Sequence, residues 1–196
     1  CLSLVNPIGA IGNKTIGGER NSDGFNGIVP CPSFYFPIEK VSSLNVVRRT
    51  GVYGVPRGNG FHQGLDLATG GHHHASVYSV LAGKVVFSDY CNDRGSYYPS
   101  GKTYAIVIKH ESSTDGKGHY LYTTYMHLDK DTVSKNVGDS VKAGEKIGCT
   151  GYYNNGNANH NEHLHFQVHF ITKNGFGFKV NTKNPQNYLN ISKYLK

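Results

Sequence analysis

The chain contains no tryptophan and a single methionine, and its longest apolar runs fall well short of the roughly 18 residues a membrane-spanning helix requires, so no transmembrane segment is expected. Cysteine is sparse and scattered: Cys1, Cys31, Cys91 and Cys149 form no C-x-x-C pair, which argues against a zinc ribbon or a thioredoxin-type redox site. In an exported protein the expected bridges are Cys1–Cys31 and Cys91–Cys149, with four reduced thiols as the alternative. Helical periodicity is missing apart from a short turn expected near Glu39–Asn45. Acidic residues are outnumbered, 13 against 20 Lys and Arg, and the formal charge of +7 draws the surface toward polyanions. The excess is spread along the chain without a long basic run or a nucleic-acid motif, so no nucleic-acid partner is expected.

What is present suits a folded domain. The 196 residues are 37% hydrophobic and 12% aromatic, enough for one good core with an appended segment. The first residue is Cys1 in place of Met, the start expected of a processed or excised piece. Residues 1–45 are rich in Gly, Asn, Ser and Pro and show almost no periodicity, so a loop-rich segment leaning on the main domain is expected there. Across residues 46–196 short runs such as "VYSVLAGKVVFSDY", "YAIVIKH", "HYLYTTYMHL" and "KIGCTGYY", separated by Gly, Asn, Asp and Ser clusters, mark an all-β, mostly antiparallel domain. The stretch "VSKNVGDSVKAGEKIG" sets Val137, Val141 and Ile147 around two glycine turns, the layout of a small β-meander that folds the chain back twice.

Histidine is the residue type with a pattern. In "EHLHFQVHF" the alternation of a strand puts Leu164, Phe166, Val168 and Phe170 on one face and His163, His165, Gln167 and His169 on the other. Two His at i and i+2 aim imidazoles the same way, a simple means of directing two nitrogens at one point. In "GFHQGLDLAT" His62, Gly64, Asp66 and Ala68 would share one face, with Leu65 and Leu67 turned to the core. In "TTYMHLD" the same alternation puts Thr123, Tyr125 and His127 together. The run His72-His73-His74 alternates faces and cannot converge on one ion; a surface loop is expected there, and His110, His119, His160 and His169 are expected to be structural or exposed.

The order His62-Gln-Gly-Leu-Asp66, then Tyr125-Met-His127, then His163-Leu-His165-Phe166, with "VYSVLAGKVVFS", the meander, Thr150-Gly151 and "NPQNYL" between and after, resembles the lysostaphin/LytM-type zinc endopeptidases that cut peptidoglycan peptides. The resemblance covers roughly residues 50–190. It implies a twisted sheet with a narrow groove and one zinc ion per chain, held by His62, Asp66 and His165 with water in the fourth place. His127 and His163 would be the assisting catalytic histidines, the choice of general base between them left open. It also implies peptidoglycan peptides as substrate and a place outside the cytoplasm (secreted, cell wall or periplasm) or on a phage or mobile element; the positive charge adds anionic wall polymers as an expected further contact, and a monomer is expected. Three departures stand out: Pro56 where close members carry an assisting tyrosine, with Tyr53 one step upstream; "ANHNE" in place of a small-residue run before the histidine pair; and "HHH" in place of small residues in a loop.

Two other classes of function compete with an active enzyme. A non-catalytic binding or scaffolding module of the same fold would usually have lost ligands, and here all three are kept with both extra histidines. A purely structural zinc site would normally close with four protein ligands, often Cys, and here the cysteines lie outside the motifs.

Overall fold

The computed structural model describes residues 34–39, 51–58, 60–91, 103–114, 118–151, 162–172 and 181–189. The strands among them are β1 (Pro56–Arg57), β2 (Gly60–Phe61), β3 (Leu65–Ala68), β4 (Ser76–Tyr78), β5 (Gly83–Cys91), β6 (Thr103–Thr114), β7 (His119–Leu128), β8 (Ser140–Val141), β9 (Lys146–Cys149), β10 (His163–Thr172) and β11 (Thr182–Lys183). Single 3-10 turns at Lys130–Thr132 and Pro185–Asn187 are the helical elements among the described residues. The all-β fold expected from the sequence is therefore the fold observed, and every strand pairing among the described residues is antiparallel.

A seven-stranded sheet runs β11-β10-β7-β6-β5-β8, with β3 joined to the first half of β10 on the side where β11 joins the second. It is open, not a closed barrel, among the described residues. Residues paired across an antiparallel ladder share a face, so the register sorts the side chains. On one face Leu164 and Phe166 lie opposite Leu67 and Leu65 and join Val168, Tyr125, Ile106 and Ile108 in the main core, which Val77 and Ile147 of the small β4–β9 sheet complete. On the other, Cys91, Ala105, Val107, Tyr122, Met126 and Ile171 form a smaller cluster. Slipping β10 by one residue would bring Leu164, Phe166 and Val168, all fully buried, off the main core; at about 1.5–3 kcal/mol for each large apolar side chain, the register is fixed decisively. That register determines where the histidines point.

Residues 34–39 lie against this core, with Phe36 and Ile38 buried and Ile38 bridged to Val77. The rest of the loop-rich segment, the boundary expected at residue 45, the turn expected through Asn45, and Cys1 and Cys31 lie outside the described residues.

Two expectations are corrected. The meander turns back at Gly138 and Gly144 as expected, but its strands do not pair with each other: β8 adds to β5 and β9 to β4, so the segment staples the small sheet to the large one. The Cys91–Cys149 bridge is not formed: the two buried cysteines are not bonded to each other, Cys91 lying on β5 opposite Thr103 and Cys149 on β9 opposite Ser76.

His110 is structural, as expected. Its ring is fully buried, with Nδ1 2.9 Å from the Ala82 carbonyl and Nε2 2.8 Å from Thr123 Oγ1, which stands 3.1 Å from the Tyr125 hydroxyl. Burial lowers the His110 pKa to about 4, against the pull of the Ala82 carbonyl, and raises that of Tyr125 to about 12. A histidine held neutral in the fold contributes stability that is full above its unfolded value near 6.5 and is lost as pH falls toward 4. Urea unfolding of wild type and His110→Gln from pH 7 to 4 should therefore show the wild-type advantage shrinking by about 3 kcal/mol on acidification, from a shift of 6.5 to about 4. A pH-independent difference would contradict this role.

Candidate metal centre

The centre forms where β3 lies beside β10. Asp66 faces His165 directly across the ladder, and the two side chains leave the sheet on the face opposite Leu65 and Phe166. His62 arrives from the end of the β1–β2 hairpin, its backbone fixed by His62 N–H donating to the Val55 carbonyl at 2.9 Å and Gly54 N–H donating to the His62 carbonyl at 2.8 Å. His62 Nδ1 lies 3.0 Å from the Val52 carbonyl, which can only accept, so the proton sits on Nδ1 and Nε2 is left as a bare donor atom.

Three ligand atoms meet there. His62 Nε2 is 3.0 Å from His165 Nδ1 and 3.1 Å from Asp66 Oδ1, and His165 Nδ1 is 2.8 Å from Asp66 Oδ1. All three residues are buried. Zinc bonds of about 2.0–2.1 Å in a tetrahedron place ligand atoms about 3.4 Å apart, so both the donor set and its spacing fit that ion. The other carboxylate oxygen, Oδ2, accepts from Arg57 Nη2 at 3.0 Å. Burial by itself would raise the Asp66 pKa, but the close contacts with His165 and His62 and the electrostatic influence of His165 and His163 outweigh it and hold the group ionised, well below the usual carboxylate range.

Two further imidazoles stand beside the three. His163 Nε2 is 3.7 Å from Asp66 Oδ1. The His127 ring centre is 4.7 Å from that of His163 and 5.9 Å from that of His165. Burial, then the neighbouring His163 and His165, lower the His127 pKa well below its ordinary value, so this ring is neutral.

How His127 reaches the site corrects the alternation read from "TTYMHLD". Thr123 and Tyr125 do share a face, but it is the core face, where Tyr125 packs on Phe166. His127 is the extra residue of a β-bulge: Tyr104 pairs with Leu128 and Ala105 with Met126, so the β6–β7 register skips His127, which stands at φ 67°. The bulge turns its side chain to the opposite face, beside His163 and His165. A left-handed conformation costs a non-glycine residue about 1–3 kcal/mol. Hydrogen bonds on both sides hold it, His127 N–H donating to Thr103 Oγ1 at 2.9 Å and Gly151 N–H to the His127 carbonyl at 2.8 Å.

All five residues expected at the site are thus brought together. His169 is not among them: it is buried, with Nε2 3.1 Å from Thr124 Oγ1. Tyr53, the stand-in for the missing tyrosine, donates its hydroxyl to the Thr182 carbonyl at 3.0 Å. The remaining two departures meet each other, since Glu162 accepts from His74 N–H at 2.8 Å and Thr150 Oγ1 at 2.5 Å, and its Oε2 is 3.2 Å from His73 Nδ1. The triple histidine is therefore pinned at the start of the histidine strand. Sequence reading missed Arg57, Thr103 and Glu162, for none stands at a motif spacing; of the three only Glu162, beside His163, carried a signal, a charge where a small residue was expected.

An antiparallel sheet presenting two imidazoles and a carboxylate to one point, with two more imidazoles alongside, defines a metallohydrolase type of site. The model of peptidase family M23 matches residues 60–182, and the chain belongs to that family. Its fold is similar to the catalytic domain of the antimicrobial peptidase lysostaphin from Staphylococcus simulans, at 27% identity and a TM-score of 0.54 over 76% of this chain and 98% of that one. Against a longer lysostaphin chain from the same organism the values are 26% and 0.55, covering 81% of this chain and 56% of the other. The fold is also that of LytU, at 24% identity and a TM-score of 0.52 over 80% of this chain and 95% of that one.

Gly64 sets a steric condition on the centre. A Cβ there would lie 2.6 Å from the Phe166 carbonyl oxygen and 2.7 Å from His165 Nε2. Gly64→Ala should displace the His165 ring and weaken zinc affinity by about 10–100-fold, read by competition with a chromogenic chelator. Unchanged affinity would show that the ring does not occupy this position.

Proposed function

We propose that the protein is a zinc-dependent endopeptidase that hydrolyses peptide cross-links of bacterial cell-wall peptidoglycan, acting outside the cytoplasm. The observation that carries this reading is the convergence of His62 Nε2, Asp66 Oδ1 and His165 Nδ1 within 2.8–3.1 Å of one another, with His163 and His127 alongside. Membership of a peptidase family and likeness to an antimicrobial peptidase support the reaction class and the wall substrate.

In this reading His62, Asp66 and His165 hold one zinc ion per chain. The bound ion supplies Lewis-acid polarisation of an amide carbonyl and acidifies water to a pKa of about 7. The chain's own groups do the rest. The imidazoles of His163 and His127 divide between accepting the proton of the attacking water and donating a hydrogen bond to the oxygen that gains charge, each a contribution of about 10²–10⁴-fold. Asp66 stays ionised as a ligand, and Arg57 on Oδ2 leaves Oδ1 for the cation. A substrate strand is held along the sheet by backbone pairing, and the charge of +7 favours anionic wall polymers.

Zymography on purified peptidoglycan should give a clearing band that a chelator abolishes and zinc restores. His127→Ala and His163→Ala should lose about 10²–10⁴-fold in turnover with one zinc retained per chain, whereas His62→Ala, Asp66→Ala and His165→Ala should lose the metal. A folded His163→Ala protein devoid of zinc would exchange the assigned roles. A zinc-loaded wild type that clears no peptidoglycan would sink the activity and favour a binding module.

A further inference from the structure

Thr103 opens β6, 24 positions before His127, and touches it twice: its Oγ1 accepts the His127 backbone N–H at 2.9 Å and lies 2.9 Å from His127 Nδ1. The hydroxyl is buried. A hydroxyl has one proton and two lone pairs. The backbone N–H can only donate, so it takes one lone pair. If Nδ1 also carried a proton, Oγ1 would accept twice and its own proton would be buried with no acceptor, because His127 is the sole hydrogen-bond partner of that hydroxyl among the described residues. An unmatched buried donor is the costlier arrangement. The hydroxyl proton therefore goes to Nδ1, and the proton of the neutral ring sits on Nε2.

We infer that Thr103 is a positioning residue that selects the Nε2–H form of His127, making His127 the hydrogen-bond donor of the assisting pair and leaving proton acceptance to His163. The division of labour rests on the endopeptidase reading above; the tautomer rests on the hydroxyl alone. The same oxygen holds the left-handed backbone of the bulge, at φ 67°, so one side chain fixes both the direction and the protonation pattern of the ring. The ring of His62 is set the other way, with its proton on Nδ1 toward the Val52 carbonyl and Nε2 bare. The two histidines thus carry opposite tautomers, one suited to ligation and the other to donation.

Two measurements test this on the zinc-loaded protein. Two-bond 1H–15N spectra of histidine-labelled wild type, with His127 assigned by its loss in His127→Ala, should show a protonated Nε2 and a bare Nδ1. Thr103→Val should mix or reverse that pattern and lower kcat on purified peptidoglycan by about 10²–10⁴-fold with KM and zinc content unchanged, while Thr103→Ser restores both. A wild-type Nδ1–H signature, or a Thr103→Val protein with unaltered His127 resonances and kcat, overturns the inference. Should Thr103→Val fail to fold, the wild-type signature and the Thr103→Ser protein still decide it. Full activity in His127→Ala would instead count against the endopeptidase roles, and the spectra would continue to judge Thr103 by themselves.

Discussion

A carboxylate buried between two strands must be surrounded by donors or positive charge, because an unpaired ion out of water costs several kcal/mol. Asp66 is that carboxylate. Its Oδ2 meets Arg57, and its Oδ1 faces the ring nitrogens of His62, His165 and, slightly further out, His163. Crowding imidazoles around one buried oxygen is a poor way to stabilise a sheet, since the same volume filled with apolar side chains would serve at least as well. The arrangement makes sense as a cage for a divalent cation, and the remaining polar contacts follow from it: the Val52 carbonyl that bares His62 Nε2, and the Arg57 guanidinium that takes up the oxygen not aimed at the imidazoles.

The fold serves that cage through two devices of different kind. The first is the register of β10, which the apolar face of Leu164, Phe166 and Val168 enforces and which sends His163 and His165 to the opposite side. The second interrupts the pattern. By inserting His127 as an extra residue in β7, the bulge moves a side chain that regular alternation would bury beside Tyr125 across to the site. Close approach is secured by missing side chains, at Gly64 beneath the His165 ring and at Gly51, where a Cβ would lie 2.5 Å from that of Asp66.

The strand-borne part of this was legible in the amino-acid sequence because period two is a direct image of geometry: "EHLHFQVHF" and "HQGLDLA" name their inner and outer faces. His127 was found by its place in a motif order, and its face was misjudged, since a bulge leaves no mark on an alternating string. Thr103 and Arg57 were invisible for a related reason. Each acts on a single residue 24 or 9 positions away, and neither a lone Thr at a strand start nor an Arg in a Gly-rich turn carries a distinctive signal. The departures "HHH" and "ANHNE" were seen separately, but only the fold reveals that Glu162 joins them. The Cys91–Cys149 bridge failed because a pairing drawn from sequence order carries no information on where the fold places the two strands, β5 and β9, that hold the cysteines.

Zinc-edge X-ray absorption on the purified protein examines the cage most directly. Two imidazoles and one carboxylate from the chain, completed by a single light oxygen scatterer from solvent at a bond length near 2.0 Å, is the expected first shell. A sulfur scatterer, a fourth side-chain ligand, or the absence of tightly held zinc from a folded sample would contradict the metal centre described for His62, Asp66 and His165.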